Sequence, residues 1–262
     1  MMRALFTAAT GMEAQQARID TIANNIANVG TTGFKKARVE FQDLFYETLR
    51  APGSTNSDGA ILPTGVQVGH GVQLSAINTI FTSGDRVATG NALDLAIDGL
   101  GFFQVQRPTG DTVYTRDGTF KLDGDGNIVT AQGYQLIPTI TVPSDAISVT
   151  ILPDGTVNAQ QPGSATPTNL GQIQLARFAN PAGLSVVGGN LLEVTEASGD
   201  PETGTPDQNG FGAVASGFLE GSNVEVAEEL VQMILAQRAF EVSSRVIQAG
   251  DEMLRIAAQL TQ

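Results

Sequence analysis

The chain has 262 residues, one histidine, no cysteine, no tryptophan and a formal net charge of −13. The missing cysteine excludes disulfides, thiol catalysis and thiolate metal sites. The acidic balance lacks the basic footprint by which proteins grip phosphate backbones or anionic lipid, so neither nucleic acid nor membrane insertion is expected. With aromatic residues at only 6% of the chain, a core of aliphatic and small side chains is expected.

Residues 1–50 hold six basic and five acidic side chains, residues 51–217 five and fifteen, and residues 218–262 three and seven. The middle of the chain therefore carries most of the negative excess. The opening run Ala4-Leu5-Phe6-Thr7-Ala8-Ala9 is short and leads into Glu13, Gln15 and Gln16, which speaks against a cleaved signal peptide. No stretch approaches the ~20 apolar residues of a membrane span.

From the N-terminus, Leu5, Ala8, Met12, Gln15, Ile19, Ile22, Ile26 and Val29 alternate spacings of three and four, which predicts a helix with a heptad seam. Gly30 follows, where a left-handed residue commonly closes a helix. Phe34 to Leu49 reads as either a short amphipathic helix or extended chain. Residues 51–66 and 197–212, rich in Gly, Pro, Ser, Thr and Asn, read as linkers or extended loops.

Between about Leu93 and Thr195, short period-two runs separated by turn signals predict an all-β region. Strand candidates are Gly101–Arg107, Thr112–Thr115, Thr119–Asp123, Asn127–Thr130, Tyr134–Val142, Ala146–Pro153 and Gln172–Phe178. Asp117-Gly118, Asp123-Gly124, Asp125-Gly126 and Asp154-Gly155 are hairpin dipeptides, because Asp and Gly tolerate tight-turn dihedrals.

Ser222 with Glu225 three residues on forms a capping-box pattern, predicting the start of a C-terminal helix. That helix shows two apolar stripes. Leu230, Met233, Gln237, Phe240, Ser244, Ile247 and Leu254 form one; Leu235, Ala239, Val242, Val246, Ala249, Met253, Ile256 and Leu260 form the other, on nearly the opposite side. A helix with one wet face needs one stripe. A second implies a second cover, which a two-helix hairpin within one chain does not supply.

The chemistry of catalysis is missing from the pattern. His70 has no histidine partner and no carboxylate adjacent in sequence, so Ser-His-Asp machinery cannot be assembled. Asp123-Gly124-Asp125-Gly126-Asn127 opens like a calcium loop, but its twelfth position is Tyr134 and strands flank it, so a hairpin turn is the better reading. Gly99-Leu100-Gly101 lacks the third glycine of a dinucleotide loop and reads as a tight turn. No catalytic, metal or cofactor-binding residue is nominated, and no cofactor is expected.

The informative constellation is Asn24-Asn25-Ile26-Ala27-Asn28-Val29-Gly30-Thr31-Thr32-Gly33-Phe34-Lys35. Three asparagines in five residues weaken a helix end, which leaves two readings. Either the C-terminus simply frays, or the amides satisfy polar groups across a packed interface. The segment resembles the N-terminal signature of the bacterial flagellar axial proteins, the family of rod and hook subunits. Thr89 to Phe103, Tyr114-Thr115-Arg116-Asp117-Gly118, Ser222 to Val231 and Gln237-Arg238-Ala239-Phe240-Glu241 resemble further family motifs, in the family's order. Length and the Ala51–Val66 segment are most like the distal rod branch, with hook and proximal rod subunits as alternatives. Residues 158–172 match the family pattern least.

The expected fold is α+β. N- and C-terminal helices form a coiled-coil-like layer with an intervening all-β domain of short strands and hairpins. Residues 1–50 and 216–262 make the inner helical layer, 51–85 the linker and entry strands, and 86–215 the outer β domain. Assembly contacts are expected at Leu5, Met12, Ile19, Ile22, Asn24, Asn25, Ile26, Asn28, Gly33 and Phe34. At the other end they are expected at Leu230, Met233, Gln237, Phe240, Val242, Val246, Ile247, Met253, Leu254 and Ile256. A charge at Ile22 should break assembly while the β domain stays folded.

The resemblance implies a rigid hollow rod crossing the periplasm and transmitting torque. Implied partners are further copies of the chain, proximal rod and hook-side axial proteins, the P and L ring proteins, and the flagellar type III export apparatus. The terminal helices are expected to gain order only on assembly. The competing reading is a secreted β-rich binding or hydrolytic protein. It requires a pocket of convergent polar groups, and none can be nominated.

Overall fold

The computed structural model describes residues 2–54, 63–163 and 166–260. An N-terminal helix and a C-terminal helix flank a mostly β middle region. The chain divides into two compact units. The first comprises Met1–Ile26, Ala37–Asn78 and Glu225–Gln262; the second comprises Ala27–Lys36 and Thr79–Val224.

In the first unit, α1 spans Met2–Ala27 and α2 spans Val226–Leu260. The α1 seam is covered as its spacing predicts: Ala8 and Ile22 are buried, and Leu5, Met12, Gln15, Ile19 and Ile26 are half-buried. Its last predicted member, Val29, lies beyond the helix and is exposed. Gly30 is not left-handed; the first positive φ, +68°, belongs to Gly33. A turn replaces the expected cap, with Thr31 N–H donating to Asn28 O at 3.1 Å and Thr31 Oγ1 to Asn28 Oδ1 at 3.1 Å.

The stretch Phe34–Leu49 is extended. Strand β1 (Ala37–Asp43) pairs with β4 (Val72–Thr79), and β2 (Tyr46–Arg50) pairs antiparallel with β3 (Val66–Gly69). Of the 51–66 linker, residues 55–62 lie outside the described residues. Helix α2 starts at Val226, later than the capping box implies. Ser222 Oγ instead accepts the Val224 N–H at 3.3 Å, and Glu225 O accepts the first helical bond from Glu229 N–H at 3.0 Å.

The second unit contains β5 (Arg86–Ala88), β6 (Leu95–Asp98), β7 (Phe102–Gln106), β8 (Thr112–Thr115), β9 (Phe120–Leu122) and β10 (Ile128–Thr130). Then come β11 (Gln135–Ile137), β12 (Ser148–Ile151), β13 (Thr156–Gln160), β14 (Thr168–Gln172), β15 (Leu175–Arg177) and β16 (Ser185–Gly188). The last four are β17 (Leu191–Glu193), β18 (Glu202–Gly204), β19 (Ala213–Ser216) and β20 (Phe218–Glu220). The main sheet runs β16-β17-β8-β7-β11-β10-β9, with β15 bridging β7 and β18. Strands β12-β13-β14 form a second sheet, so the poorly matching 158–172 stretch is ordinary hairpin where described. Pairs β19-β6 and β20-β5 bring the end of the unit back onto its beginning.

Each predicted strand candidate contributes a strand, though Tyr134–Val142 stops at Ile137, before Pro138, which has no N–H to continue a ladder. Asp123-Gly124-Asp125-Gly126 joins the β9-β10 hairpin and Asp154-Gly155 the β12-β13 hairpin. Asp117-Gly118 does not make a hairpin, because β8 and β9 are not neighbours. Gly118 O accepts Leu95 N–H at 3.0 Å, and that approach leaves no room for a Cβ. The Gly99 and Gly101 turn is confirmed by positive φ at both.

The period-two pattern places alternate residues on opposite faces of the sheet. Phe103, Val113 and Leu175 enter a large aliphatic core, whereas their neighbours Phe102, Tyr114 and Ala176 enter a smaller cluster. The main core is chiefly aliphatic, as expected, with a few phenylalanines set into it. Aromatics are few but concentrated: Phe103 meets Phe120 edge-on at 5.2 Å, and Phe102 meets Phe81 at 5.4 Å and Phe178 at 5.8 Å. Such pairs add ~0.5–1.5 kcal/mol each beyond burial.

Candidate assembly surface

The two helices of the first unit lie side by side in opposite directions. A Cβ added at Gly250 would fall 2.5 Å from Leu5 Cδ2, and one added at Gly11 would fall 3.6 Å from Ser243 Oγ. Further along, the Arg18 guanidinium donates to Gln232 Oε1, and Asn25 Nδ2 donates to Glu229 Oε2 at 3.2 Å. The covered stripe of α2 is Glu229, Met233, Ala236, Phe240, Ser243, Ile247 and Gly250. It shares Met233, Phe240 and Ile247 with the first predicted stripe. Glu229, bound to Asn25, stands in place of Leu230, and Ala236 and Gly250, small enough for close approach, join Ser243 in place of Gln237. Ala236 is fully buried.

Much of the remaining surface of that helix is apolar and open. Leu230, Val231, Ile234, Leu235, Val242, Val246, Met253, Leu254 and Ile256 are all exposed, Val242 by 61%. The second predicted stripe is therefore open in this chain at Leu235, Val242, Val246, Ala249, Met253 and Ile256, with Ala239 half-buried. Its polar neighbours are bound along the helix: Arg238 to Glu241 at 2.9 Å and Arg255 to Glu252 at 2.6 Å. Gln237 is exposed with this face. At the N-terminal end, Met2 and Phe6 are exposed.

The asparagine signature splits in two. Asn24 is exposed. Asn25 is 1% exposed, and its amide is satisfied within the chain: Nδ2 donates to Ala37 O at 2.9 Å, and Oδ1 accepts Ala37 N–H at 3.0 Å. It imitates a strand partner for one residue, so the amide does satisfy polar groups across a packed contact, but one within the chain. Asn28 and Phe34 are half-buried, and Gly33 is buried with its N–H on Glu220 O at 2.8 Å. Ile22, 5% exposed, is likewise covered by its own chain.

The remaining candidates are occupied by local structure. His70 Nδ1 lies 2.9 Å from Phe45 O, and Nε2 lies 3.9 Å from Glu47 Oε2, which also takes Arg3 at 2.6 Å. Asp123 accepts N–H bonds from Asp125 and Asn127 and the Asn127 side chain at 3.0 Å. Those bonds, the Asn127 side chain foremost, hold its carboxyl below the usual range. The stretch is the hairpin turn that its sequence predicts. Sequence reasoning missed Glu229, buried on α2, and Lys35, Arg116 and Glu220, which converge from distant positions. Only the placement of charged residues inside matched motifs could have hinted at them.

Comparison with known proteins agrees with the three motif regions. Residues 5–35 match the family described as flagella basal body rod protein, residues 96–159 the flagellar hook protein FlgE/F/G D1 domain, and residues 215–260 the flagellar basal body rod FlgEFG protein C-terminal. Over 262 residues, 99% of each chain, the sequence is 48% identical to the flagellar basal-body rod protein FlgG of Borreliella burgdorferi. It is 49% identical to that of Agrobacterium fabrum over 98% of this chain and 99% of the relative. With that of Caulobacter vibrioides the identity is 46%, over 99% of both.

Proposed function

The chain belongs to the flagellar basal-body rod protein family, whose members are structural components and not enzymes, and from that premise we propose that it is the subunit of the distal rod, a rigid hollow helical tube transmitting torque through the periplasm. Full-length identity to relatives named as rod proteins favours the rod over the hook. The observation that carries the polymer reading is the open apolar face of α2, from Val231 through Val242 to Ile256, beside a face already used by α1. Each such side chain covered by a neighbour contributes ~1.5–3 kcal/mol. A head-to-tail contact that does not close propagates as a filament, and close-packed helices resist twisting.

On this reading α1 and α2 form the inner layer, and the strands of the second unit face outward with the excess acidic charge. Paired helices in that layer pack as a coiled coil with those of neighbouring copies. Proximal rod and hook-side axial proteins meet the two ends of the tube, the P and L ring proteins surround it, and the subunit arrives unfolded through the type III export apparatus. Sedimentation and electron microscopy of concentrated protein test the central claim. Filaments are the expected outcome; a lasting monomer at high concentration rejects it.

A further inference from the structure

Lys35, Arg116 and Glu220 form a buried ion cluster inside the second unit. Lys35 Nζ lies 2.5 Å from Glu220 Oε1 and Arg116 Nη1 lies 3.1 Å from Oε2, with side chains 4%, 3% and 1% exposed respectively. Lys35 follows α1 in the chain, Arg116 directly follows β8, and Glu220 ends β20 just ahead of α2. Two cations thus share one carboxylate. Backbone carbonyls take up the surplus: Lys35 Nζ donates to Thr82 O at 2.7 Å and Arg116 Nη2 to Gly99 O at 2.8 Å. The Arg116 guanidinium also sits 5.2 Å above the Phe102 ring.

A mesh of backbone bonds surrounds the cluster. Gly33 N–H donates to Glu220 O at 2.8 Å, Gly84 N–H to Glu220 Oε1 at 3.1 Å, and Gly221 N–H to Asp85 O at 2.7 Å. Ile80 N–H donates to Lys36 O at 2.9 Å. Lys36 N–H donates to Asn223 Oδ1 at 2.7 Å, and Asn223 Nδ2 to Ile80 O at 2.8 Å. Gly33 has φ +68°, and a Cβ there would lie 2.6 Å from the Arg116 carbonyl carbon, so the approach requires glycine. Desolvation offsets most of the Coulomb gain of buried ions, so such a cluster supplies specification of one geometry more than stability.

We propose that this cluster is an anchor that makes the roots of both terminal helices, residues 31–36 and 217–223, integral parts of the β unit. The boundary between the slowly and the readily opening parts of the chain then falls at Ile26/Ala27 and Val224/Glu225, inside the signature segments. Either helix can melt and re-form without loosening its root. Every contact in the anchor lies within one unit, so the anchor holds whether or not the chain polymerises.

Hydrogen exchange on the full-length monomer in mild urea tests it. The amides of Gly33, Ile80 and Gly221 should exchange with those of Val105 and Val113 in the β core, at least about tenfold more slowly than amides within α1 and α2. Root amides that exchange with the helices overturn the anchor. Lys35→Met leaves the neutral Arg116–Glu220 pair and should fold. In that chain Gly33 and Ile80 should exchange at least about tenfold faster, with Val105, Val113 and Gly221 unchanged. Wild-type rates at Gly33, or uniform acceleration across the core, would show that the ions do not hold the root.

Discussion

Asn25 Nδ2 reaches Glu229 Oε2 at 3.2 Å, joining the end of α1 to the start of α2 across 204 positions of sequence. The same side chain holds both backbone groups of Ala37. One buried amide therefore fixes three segments of the first unit: where α1 ends, where β1 begins, and how α2 starts alongside.

Replacing it should be costly for a specific reason. Asn25→Ala strands the Glu229 carboxylate and the Ala37 N–H and C=O away from water, at ~1–3 kcal/mol for each group left unpaired. Asn25→Asp keeps the shape but sets a second carboxylate against Glu229 and Ala37 O. The charged form of that side chain is disfavoured by folding, so the penalty is present at pH 7 and fades as pH falls through the ordinary carboxylate range. Urea melts of the two variants at pH 7 and pH 4 should show the aspartate variant, and not the alanine variant, recovering at low pH relative to wild type.

The ion cluster predicts an asymmetry between its members. Glu220→Gln leaves two buried cations with no anion and should cost about 3–5 kcal/mol. Lys35→Met leaves a neutral pair and a well-filled site, and should shift the melting temperature little. Burial holds the Lys35 ammonium below its ordinary range, with Glu220 opposing. Its folded pKa lies below the unfolded value of about 10.5, so in the window between them the unfolded chain binds more protons and stability rises with pH. Wild type should therefore gain on the Lys35→Met chain between pH 7 and pH 10. Melts of both chains in parallel measure that gain.

Much of this was legible because burial leaves a periodic trace. Leu5, Ala8, Met12, Ile19 and Ile22 announce one helix face, and the period-two runs around Phe103, Val113 and Leu175 announce the sheet. The two-stripe pattern of the C-terminal helix correctly signalled more apolar surface than one chain covers, although the covered stripe lies one residue off at Glu229, Ala236, Ser243 and Gly250. What the sequence hid was non-local. Nothing near Lys35 reveals Glu220 at 185 positions' remove, and nothing near Asn25 reveals that its partner is the backbone of Ala37. The end of α1 and the start of α2 were misplaced for the same reason: the second unit claims Ala27–Lys36 and the residues up to Val224. Local capping chemistry loses there to tertiary bonds.

Orientation in the assembled rod has a direct chemical test, because the chain contains no cysteine. Asp123→Cys and Asp154→Cys place single thiols on the β9-β10 and β12-β13 turns, and Ile247→Cys places one in the covered stripe of α2. In assembled rods a maleimide should label the first two and spare the third. Labelling at position 247 with protection at 123 and 154 would invert the inner and outer layers.

The sharpest separation of folding from assembly comes from the open face of α2. A charge at Ile22 was the obvious probe from sequence, but Ile22 is 5% exposed within its own chain. An aspartate there destabilises the first unit itself and confounds the two effects. Val242 is 61% exposed and Val246 and Met253 are exposed beside it. An exposed valine gives up almost nothing when replaced, so Val242→Asp should change the stability of the isolated chain by no more than about 0.5 kcal/mol. In a filament the same aspartate would sit desolvated against apolar side chains of the next copy, with no partner. That burial costs several kcal/mol per interface, and repetition at every subunit makes it prohibitive. Circular dichroism of the Val242→Asp monomer should overlay wild type, and negative-stain microscopy of the same sample at high concentration should show no filaments. Filaments of normal length from this variant would place the subunit contact on another surface.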